Sequence, residues 1–138
     1  MKLFAREDSS VLLMCLAIGP ALATLSLLTK PDARGFGTHE QLGLPACGLR
    51  ALLEVPCPAC GVTTSVVLAT RGRVLESLAN QPFGFLLALT LVALFVAALR
   101  SLWTGADMRP LIAVRPGWQI SVAGLLVLVS WGWKVWGM

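Results

Sequence analysis

The stretch FLLALTLVALFVAAL, residues 85–99, decides the fold class of this chain. It lies within a charge-free interval, residues 77–99, that is bracketed by Glu76 and Arg100. A helix that crosses the hydrocarbon core of a bilayer needs about 17–25 mostly apolar residues. The apolar part of this interval, residues 83–99, therefore predicts a transmembrane helix.

Two further charge-free intervals have a similar length. They cover residues 9–29 and 116–133, and their apolar parts, residues 11–28 and 118–135, predict two more transmembrane helices. In the last one, Trp118 and Trp136 would lie about 27 Å apart along a helix. That separation is typical of aromatic belts at the two membrane interfaces.

The first of these runs has a second interpretation, a cleaved signal peptide. The triplet Ala21-Leu22-Ala23 fits a cleavage site, and Lys2 and Arg6 resemble a positive n-region. However, two acidic residues follow Arg6, and the apolar run continues past the triplet to Leu28. A signal h-region normally stops after about 7–15 residues. We therefore expect an uncleaved helix.

The composition supports a membrane protein of one domain, residues 1–138. Hydrophobic residues make up 57% of the chain, charged residues 13%, and the mean hydropathy is +0.79. A disordered chain has the opposite balance, and a soluble domain carries about a quarter charged residues. The net charge of +4 comes from basic residues that are spread singly, so we expect no nucleic-acid binding. The expected partners are the lipid bilayer and other membrane proteins.

The segment between the first two predicted spans, residues 29–82, combines a loop with a short helix. Residues 62–69 are apolar but too few to cross a bilayer, which suits a re-entrant or interfacial helix. From Arg71 the pattern becomes amphipathic, and Pro82 predicts a break before the next span. The predicted fold is an all-α membrane protein with three transmembrane helices and a short amphipathic or re-entrant helix after a C-P-A-C loop.

The distribution of basic residues predicts the orientation. Those on the short segments, the N-terminus and residues 100–117, are more densely placed than those of residues 29–82. By the positive-inside rule this favours a cytoplasmic N-terminus and an extracytoplasmic cysteine loop. The chain is therefore predicted to cross the membrane several times.

Three of the four cysteines lie close together in PACGLRALLEVPCPACG, residues 45–61. Pro58 suits the first turn of a helix, which would place Cys57 near the N-cap, where unpaired N–H groups favour the thiolate. Gly61 would let another backbone segment approach closely.

Three interpretations of these cysteines stay open. The first is structural: a disulfide or packed thiols that hold the loop on the helices. The second is a metal site, with zinc as the candidate ion and Cys47, Cys57, Cys60 and His39 as ligands. The third is a thiol–disulfide oxidoreductase, in which Cys57 attacks, Cys60 resolves and Cys47 relays to a partner.

The order of features over residues 45–99 resembles a family of small bacterial multi-pass membrane proteins, domain of unknown function 2752. The resemblance is carried by Cys47, by the signature Cys57-Pro58-Ala59-Cys60-Gly61-Val62-Thr63, and by Gln81-Pro82 before the long apolar run. Thr64 stands where the family usually has arginine, so no role that needs that cation is implied. Leu53-Glu54 and Gln81 depart from the pattern as well. The resemblance implies a multi-pass protein of the bacterial inner (cell) membrane and no established activity.

The middle of each predicted span lacks acidic and basic side chains and histidine. Proton-coupled and ion-coupled transporters generally need such groups. We therefore predict an accessory or interaction protein in which Cys47, Cys57 and Cys60 form a structural or metal-binding unit. An enzymatic role follows only from the oxidoreductase alternative, with Cys57 and Cys60 as its catalytic residues.

Overall fold

A computed structural model describes residues 6–105 and 116–136, and the regular elements within these two ranges are helices, without a strand among them. This confirms the all-helical prediction. In chain order the elements are α1 (Arg6–Leu28), a 3₁₀-helix (Thr38–Leu42), α2 (Gly48–Leu53), α3 (Val62–Thr70), α4 (Val74–Asn80), α5 (Pro82–Thr104) and α6 (Pro116–Trp136).

Two helices are long and apolar enough to span a membrane. They are Ser9–Leu28 within α1 and Pro82–Thr104, which is α5, with mean hydropathies of 2.3 and 2.5. In α6 the apolar part, Ile120–Trp136, is shorter. Several residues that entered the sequence predictions lie outside the described part of the chain, namely Lys2, Arg109, Arg115 and the side chain of Trp118.

The two long helices pack against each other through small side chains. Leu12 and Cys15 of α1 form a buried cluster with Ala98 of α5. Nearby, a Cβ atom added to Gly19 would lie 2.4 Å from the ring of Phe95. Close approach at small residues is how helices associate where no water is present to drive them together.

The region after the C-P-A-C loop contains two short helices, whereas the sequence predicted one. The first, α3, is enclosed by other elements, and residues 64–68 are all buried. It ends at a turn where Gly72 adopts a φ of 75° and Arg73 N–H donates to Leu68 O at 3.0 Å. This left-handed turn separates α3 from α4 and reverses the chain.

Helix α4 packs on α3 through a pair of serines. Ser77 is fully buried, and its hydroxyl donates to Ser65 O at 2.7 Å while Ser65 Oγ donates to Ser77 O at 3.1 Å. The outer side of α4 has mixed polarity, because Leu75 is 81% exposed and the neighbouring Glu76 is also exposed, where it pairs with Arg73.

The predicted break at Pro82 is present. Gln81 adopts an extended backbone conformation between α4 and α5, and Pro82 is the first residue of α5. Gly84, one turn into α5, would meet Ser65 Cβ at 2.7 Å if it carried a Cβ atom. The junction therefore packs α5 directly on α3.

Large apolar side chains cover much of the surface of the described residues. The most exposed are each more than 80% accessible and lie on several different helices: Leu27, Leu52, Leu75, Trp103 and Trp136. Soluble monomers rarely expose contiguous apolar patches larger than a few hundred Å². The surface supports association with a membrane.

Candidate functional site at the cysteine loop

A network of polar contacts fixes the loop between α1 and α2. The Asp32 carboxylate accepts hydrogen bonds from the Arg34 guanidinium and from Arg34 N–H, the latter at 2.9 Å. Both contacts lower the pKa of the carboxyl group below its usual value. Gln41 binds the backbone of Lys30 through both amide atoms, at 2.9 and 2.8 Å. The loop is therefore held in one conformation by its own side chains.

Thr64 connects this loop to the buried helix α3. Its hydroxyl lies 2.8 Å from the hydroxyl of Thr38, and both residues are buried. Thr38 Oγ1 also accepts a hydrogen bond from Asp32 N–H at 3.2 Å. A neutral threonine pair therefore joins the loop to the helices.

Cys47 is the N-cap residue of α2. Its side chain does not make a capping hydrogen bond to α2. The backbone N–H of Arg50 is nevertheless the main cause that lowers the pKa of this thiol. The second cause is a hydrogen bond with the thiol of Cys57. Cys47 is thus the thiol of this pair that ionises more readily.

Cys57 does not occupy the helix N-cap that the sequence predicted. Gly61 is the N-cap of α3, with a φ of 90°, and residues 57–60 form a turn closed by a 2.8 Å hydrogen bond from Cys60 N–H to Cys57 O. Burial and the neighbouring Cys47 thiol raise the pKa of Cys57 instead of lowering it. The expected thiolate character therefore belongs to Cys47, because Cys47 faces a helix N-terminus and Cys57 does not.

Three of the four cysteines belong to this loop region, and the structure contains no disulfide bond among the four. Cys47 and Cys57 are close enough for each thiol to shift the pKa of the other, and the charge of Cys60 would act on Cys57 as well. Cys60 is buried at 6% exposure, whereas Cys47 and Cys57 are partly exposed. Cys15, in α1, belongs to the apolar cluster against α5.

The structure does not assemble the predicted zinc ligand set. His39 lies in the 3₁₀-helix, and among the described residues there is no group of three or more His, Cys, Asp or Glu side chains that could hold a metal ion. A structural zinc site needs four ligands in tetrahedral arrangement. The residues as placed fit a thiol pair with a third thiol nearby better than a metal centre.

Gly61 makes the close approach that the sequence predicted. A Cβ atom at this position would lie 2.6 Å from the carbonyl oxygen of Gly35. The first loop therefore passes directly over the turn that carries Cys57 and Cys60.

Asn80, at the end of α4, joins three elements around this turn. Its Nδ2 donates to Gly61 O at 3.1 Å and to Ser65 Oγ at 3.0 Å. Its Oδ1 accepts a 2.7 Å hydrogen bond from Lys134 Nζ, which also donates to Gly35 O at 3.1 Å. Nothing in the local sequence pattern marks Asn80, and the sequence analysis missed its role.

The last turn of α6 closes the site from the other side. Trp131 Nε1 donates to Pro56 O at 2.7 Å, and Trp133 Nε1 donates to Ala79 O at 3.0 Å. Ser130 Oγ accepts a hydrogen bond from Phe83 N–H at 2.9 Å. These side chains fit the pattern of an interfacial belt, but their polar atoms bind the cysteine loop and the neighbouring helices.

The fold and site define an all-helical protein that carries a thiol loop at the junction of its apolar helices. Residues 47–95, from Cys47 into α5, match the model of the family described as "Protein of unknown function (DUF2752)". Comparison with curated proteins and with solved structures gives no match. The match to the family model confirms the resemblance to that family seen in the sequence and assigns no activity.

Proposed function

We propose that this chain is a multi-pass protein of the bacterial inner membrane with three crossings, α1, α5 and α6. The 21 residues of α6 would extend about 31 Å, close to the thickness of the hydrocarbon core. The C-terminal end of α6 contacts Pro56 beside Cys57, the N-terminal end of α5 packs on α3, and the C-terminal end of α1 lies against Arg71 at the end of α3. Three helices that alternate in direction across a bilayer have this arrangement.

Helix α1 is retained in this proposal. The Arg71 guanidinium donates to Ser26 O at 2.6 Å and to Thr29 O at 2.7 Å, which satisfies carbonyl groups at the end of the helix. Cleavage after Ala23 would remove the residues that pack on α5. The N-terminus is then cytoplasmic and the cysteine loop extracytoplasmic, where disulfides persist.

The cysteine unit serves a structural purpose in an accessory or interaction protein: Cys47 and Cys57 close a disulfide that fastens α2 to the C-P-A-C turn. The observation that carries this proposal is that Cys47 and Cys57 are close enough for each thiol to shift the pKa of the other. A disulfide needs sulfur atoms about 2.05 Å apart, so the two side chains would have to approach to that distance when the bond forms. Closing a loop of this length stabilises a fold by about 2–4 kcal/mol.

A second candidate function, thiol–disulfide exchange, is favoured by the unequal pKa values of the pair. The Cys47 thiolate would attack a partner disulfide and form a mixed disulfide, releasing one partner thiolate. Cys57, after losing its proton, would attack the Cys47 sulfur and release the second partner thiolate. The partner disulfide is then reduced by two electrons, and the Cys47–Cys57 disulfide is formed. Cys60 lies beside Cys57 as a third thiol for onward exchange.

The thiol state in native membranes tests the structural proposal. Free thiols are blocked with one alkylating reagent, disulfides are reduced, and the released thiols are marked with a second reagent for peptide mapping. We expect Cys47 and Cys57 to carry the second label and Cys15 the first. Recovery of Cys47 and Cys57 with only the first label would reject the structural disulfide.

Trapping separates exchange from a static disulfide. In exchange led by Cys47, Cys57→Ser accumulates a mixed disulfide through Cys47; in exchange led by Cys57, Cys60→Ser accumulates one through Cys57. Cys15→Ala is the matched control, since it removes a thiol outside the loop. A static disulfide gives no trapped species in either serine variant, and that result would reject the exchange function.

A further inference from the structure

A basic cavity lies beside the cysteine turn, between the first loop and the helices α2, α4 and α6. Its volume is about 410 Å³, within the range of small-molecule sites. Three of the side chains that line it are cations, Arg34, Arg50 and Lys134, and acidic residues are not among those that line it. Asn80 and Trp133 complete its inner side.

Phe36 holds the two arginines at the mouth of this cavity. Its ring lies 3.5 Å from the guanidinium carbon of Arg50 and 4.9 Å from that of Arg34. Stacking on an aromatic face fixes the orientation of a guanidinium group. Arg34 also pairs with Asp32 and Glu40, so part of its charge is balanced.

Lys134 supplies a positive charge at the inner wall. Its ammonium group donates to three oxygen atoms, Gly35 O, Asn80 O and Asn80 Oδ1, and all three are neutral. The salt bridges found among the described residues do not include Lys134. The charge of this ammonium group is therefore oriented but not neutralised.

We propose that this cavity binds a phosphate-bearing anion, such as the phosphodiester of an anionic phospholipid headgroup. Guanidinium groups match phosphate oxygens in pairs, and an ammonium group adds a point charge. The cavity lies where the C-terminal ends of α4 and α6 meet the polar loop, which is the level of lipid headgroups if α6 crosses a membrane. Basic pockets between membrane helices are known to hold such headgroups. Binding of a lipid headgroup rests on the proposed function, because it requires that the helices cross a membrane. Binding of free phosphate does not require this, and neither kind of binding depends on the cysteines.

The test uses the purified full-length chain in detergent. Phosphatidylglycerol and phosphatidylcholine are titrated separately and binding is measured by native mass spectrometry; in a parallel arm, inorganic phosphate is titrated and thermal unfolding is followed. We expect tighter binding of phosphatidylglycerol, weakened about fivefold in Arg50→Gln, as expected for one basic residue near an anionic headgroup. Arg50→Lys, which keeps the charge, should retain most of the binding.

The matched control is Arg100→Gln, which removes an exposed cation from the last turns of α5, away from the cavity. If phosphate raises the unfolding temperature of the wild type but not of Arg50→Gln, without a lipid preference, the ligand is free phosphate and the anion site stands. Equal effects in Arg50→Gln and Arg100→Gln, or binding in neither arm, would overturn the proposal. Lys134→Gln repeats the comparison from the inner wall if Arg50→Gln does not fold.

Discussion

Trp131 and Pro56 are 75 residues apart in the chain, yet the Trp131 indole nitrogen donates a 2.7 Å hydrogen bond to the Pro56 carbonyl oxygen. Pro56 directly precedes Cys57 and is buried. The last turn of α6 therefore fixes the backbone from which the C-P-A-C turn begins. The position of the thiols depends on a helix that lies outside the segment that matches the family.

Trp131→Phe removes this donor while it keeps an aromatic ring in place. A buried carbonyl group that loses its donor costs about 1–3 kcal/mol, so we expect lower stability in detergent and faster alkylation of Cys57. Thermal unfolding and peptide mapping after brief alkylation measure the two effects. Trp136→Phe is the control, because Trp136 is 94% exposed. An unchanged Cys57 rate in Trp131→Phe would show that the contact does not position the thiol.

Features that depend on local sequence were predictable. The absence of charge over residues 77–99 predicted a helix that the structure extends to Pro82–Thr104, and Pro82 predicted where α4 and α5 separate. Gly61 predicted a close backbone approach, and Gly35 O makes it. Each of these depends on hydrophobicity or on backbone sterics within a few residues.

Features that depend on distant partners were not predictable from one sequence. Lys134 reaches Gly35 across 99 residues, and Asn80 joins elements that no spacing pattern connects. The Cys57 prediction was wrong for a related reason. Pro58 fits the first turn of a helix but also fits an isolated turn, and Gly61 with its left-handed conformation delays the start of α3.

Gly61→Ala should destabilise the protein by about 2 kcal/mol more than Gly72→Ala. Both glycines have positive φ, 90° and 75°, so both variants strain the backbone. Only at Gly61 would the new Cβ meet Gly35 O, at 2.6 Å; nothing lies within 4 Å at Gly72. The difference in unfolding temperature in detergent isolates the steric contact. Equal losses in the two variants would show that the loop moves away without cost.

Substitutions of Gln81 show whether the buried junction between α4 and α5 needs a polar side chain. Its Nε2 donates to Pro58 O at 3.2 Å, whereas its Oε1 is buried and lacks a hydrogen-bond partner among the described residues. Gln81→Met removes the donor and the unpaired acceptor together, so we expect a change of about 1 kcal/mol or less.

Gln81→Glu would place a carboxylate against the Pro58 carbonyl oxygen, and we expect a loss of about 3 kcal/mol at pH 7.5. Burial disfavours the charged form, so the pKa of the new carboxyl group would be raised in the folded state. The loss should therefore shrink as the pH falls through that raised pKa, because the protonated acid can donate to Pro58 O. A loss that does not change between pH 7.5 and pH 5 would contradict this account.

The unequal acidity of the two thiols predicts the order in which they react. Alkylation proceeds through the thiolate. The Arg50 N–H and the Cys57 thiol lower the pKa of Cys47, and burial together with the Cys47 thiol raises the pKa of Cys57. In reduced protein at pH 7 we therefore expect iodoacetamide to modify Cys47 several-fold faster than Cys57.

As the pH rises, Cys47 approaches full ionisation first, so the ratio of the two rates should fall towards pH 9.5 while the Cys57 rate continues to climb. Peptide mapping across this pH range measures both rates. Cys57→Ala should slow Cys47, because it removes the side-chain donor that is the second-largest of the causes that lower the pKa of Cys47. Faster modification of Cys57 at pH 7, or a ratio independent of pH, would show that the N-terminus of α2 does not activate Cys47.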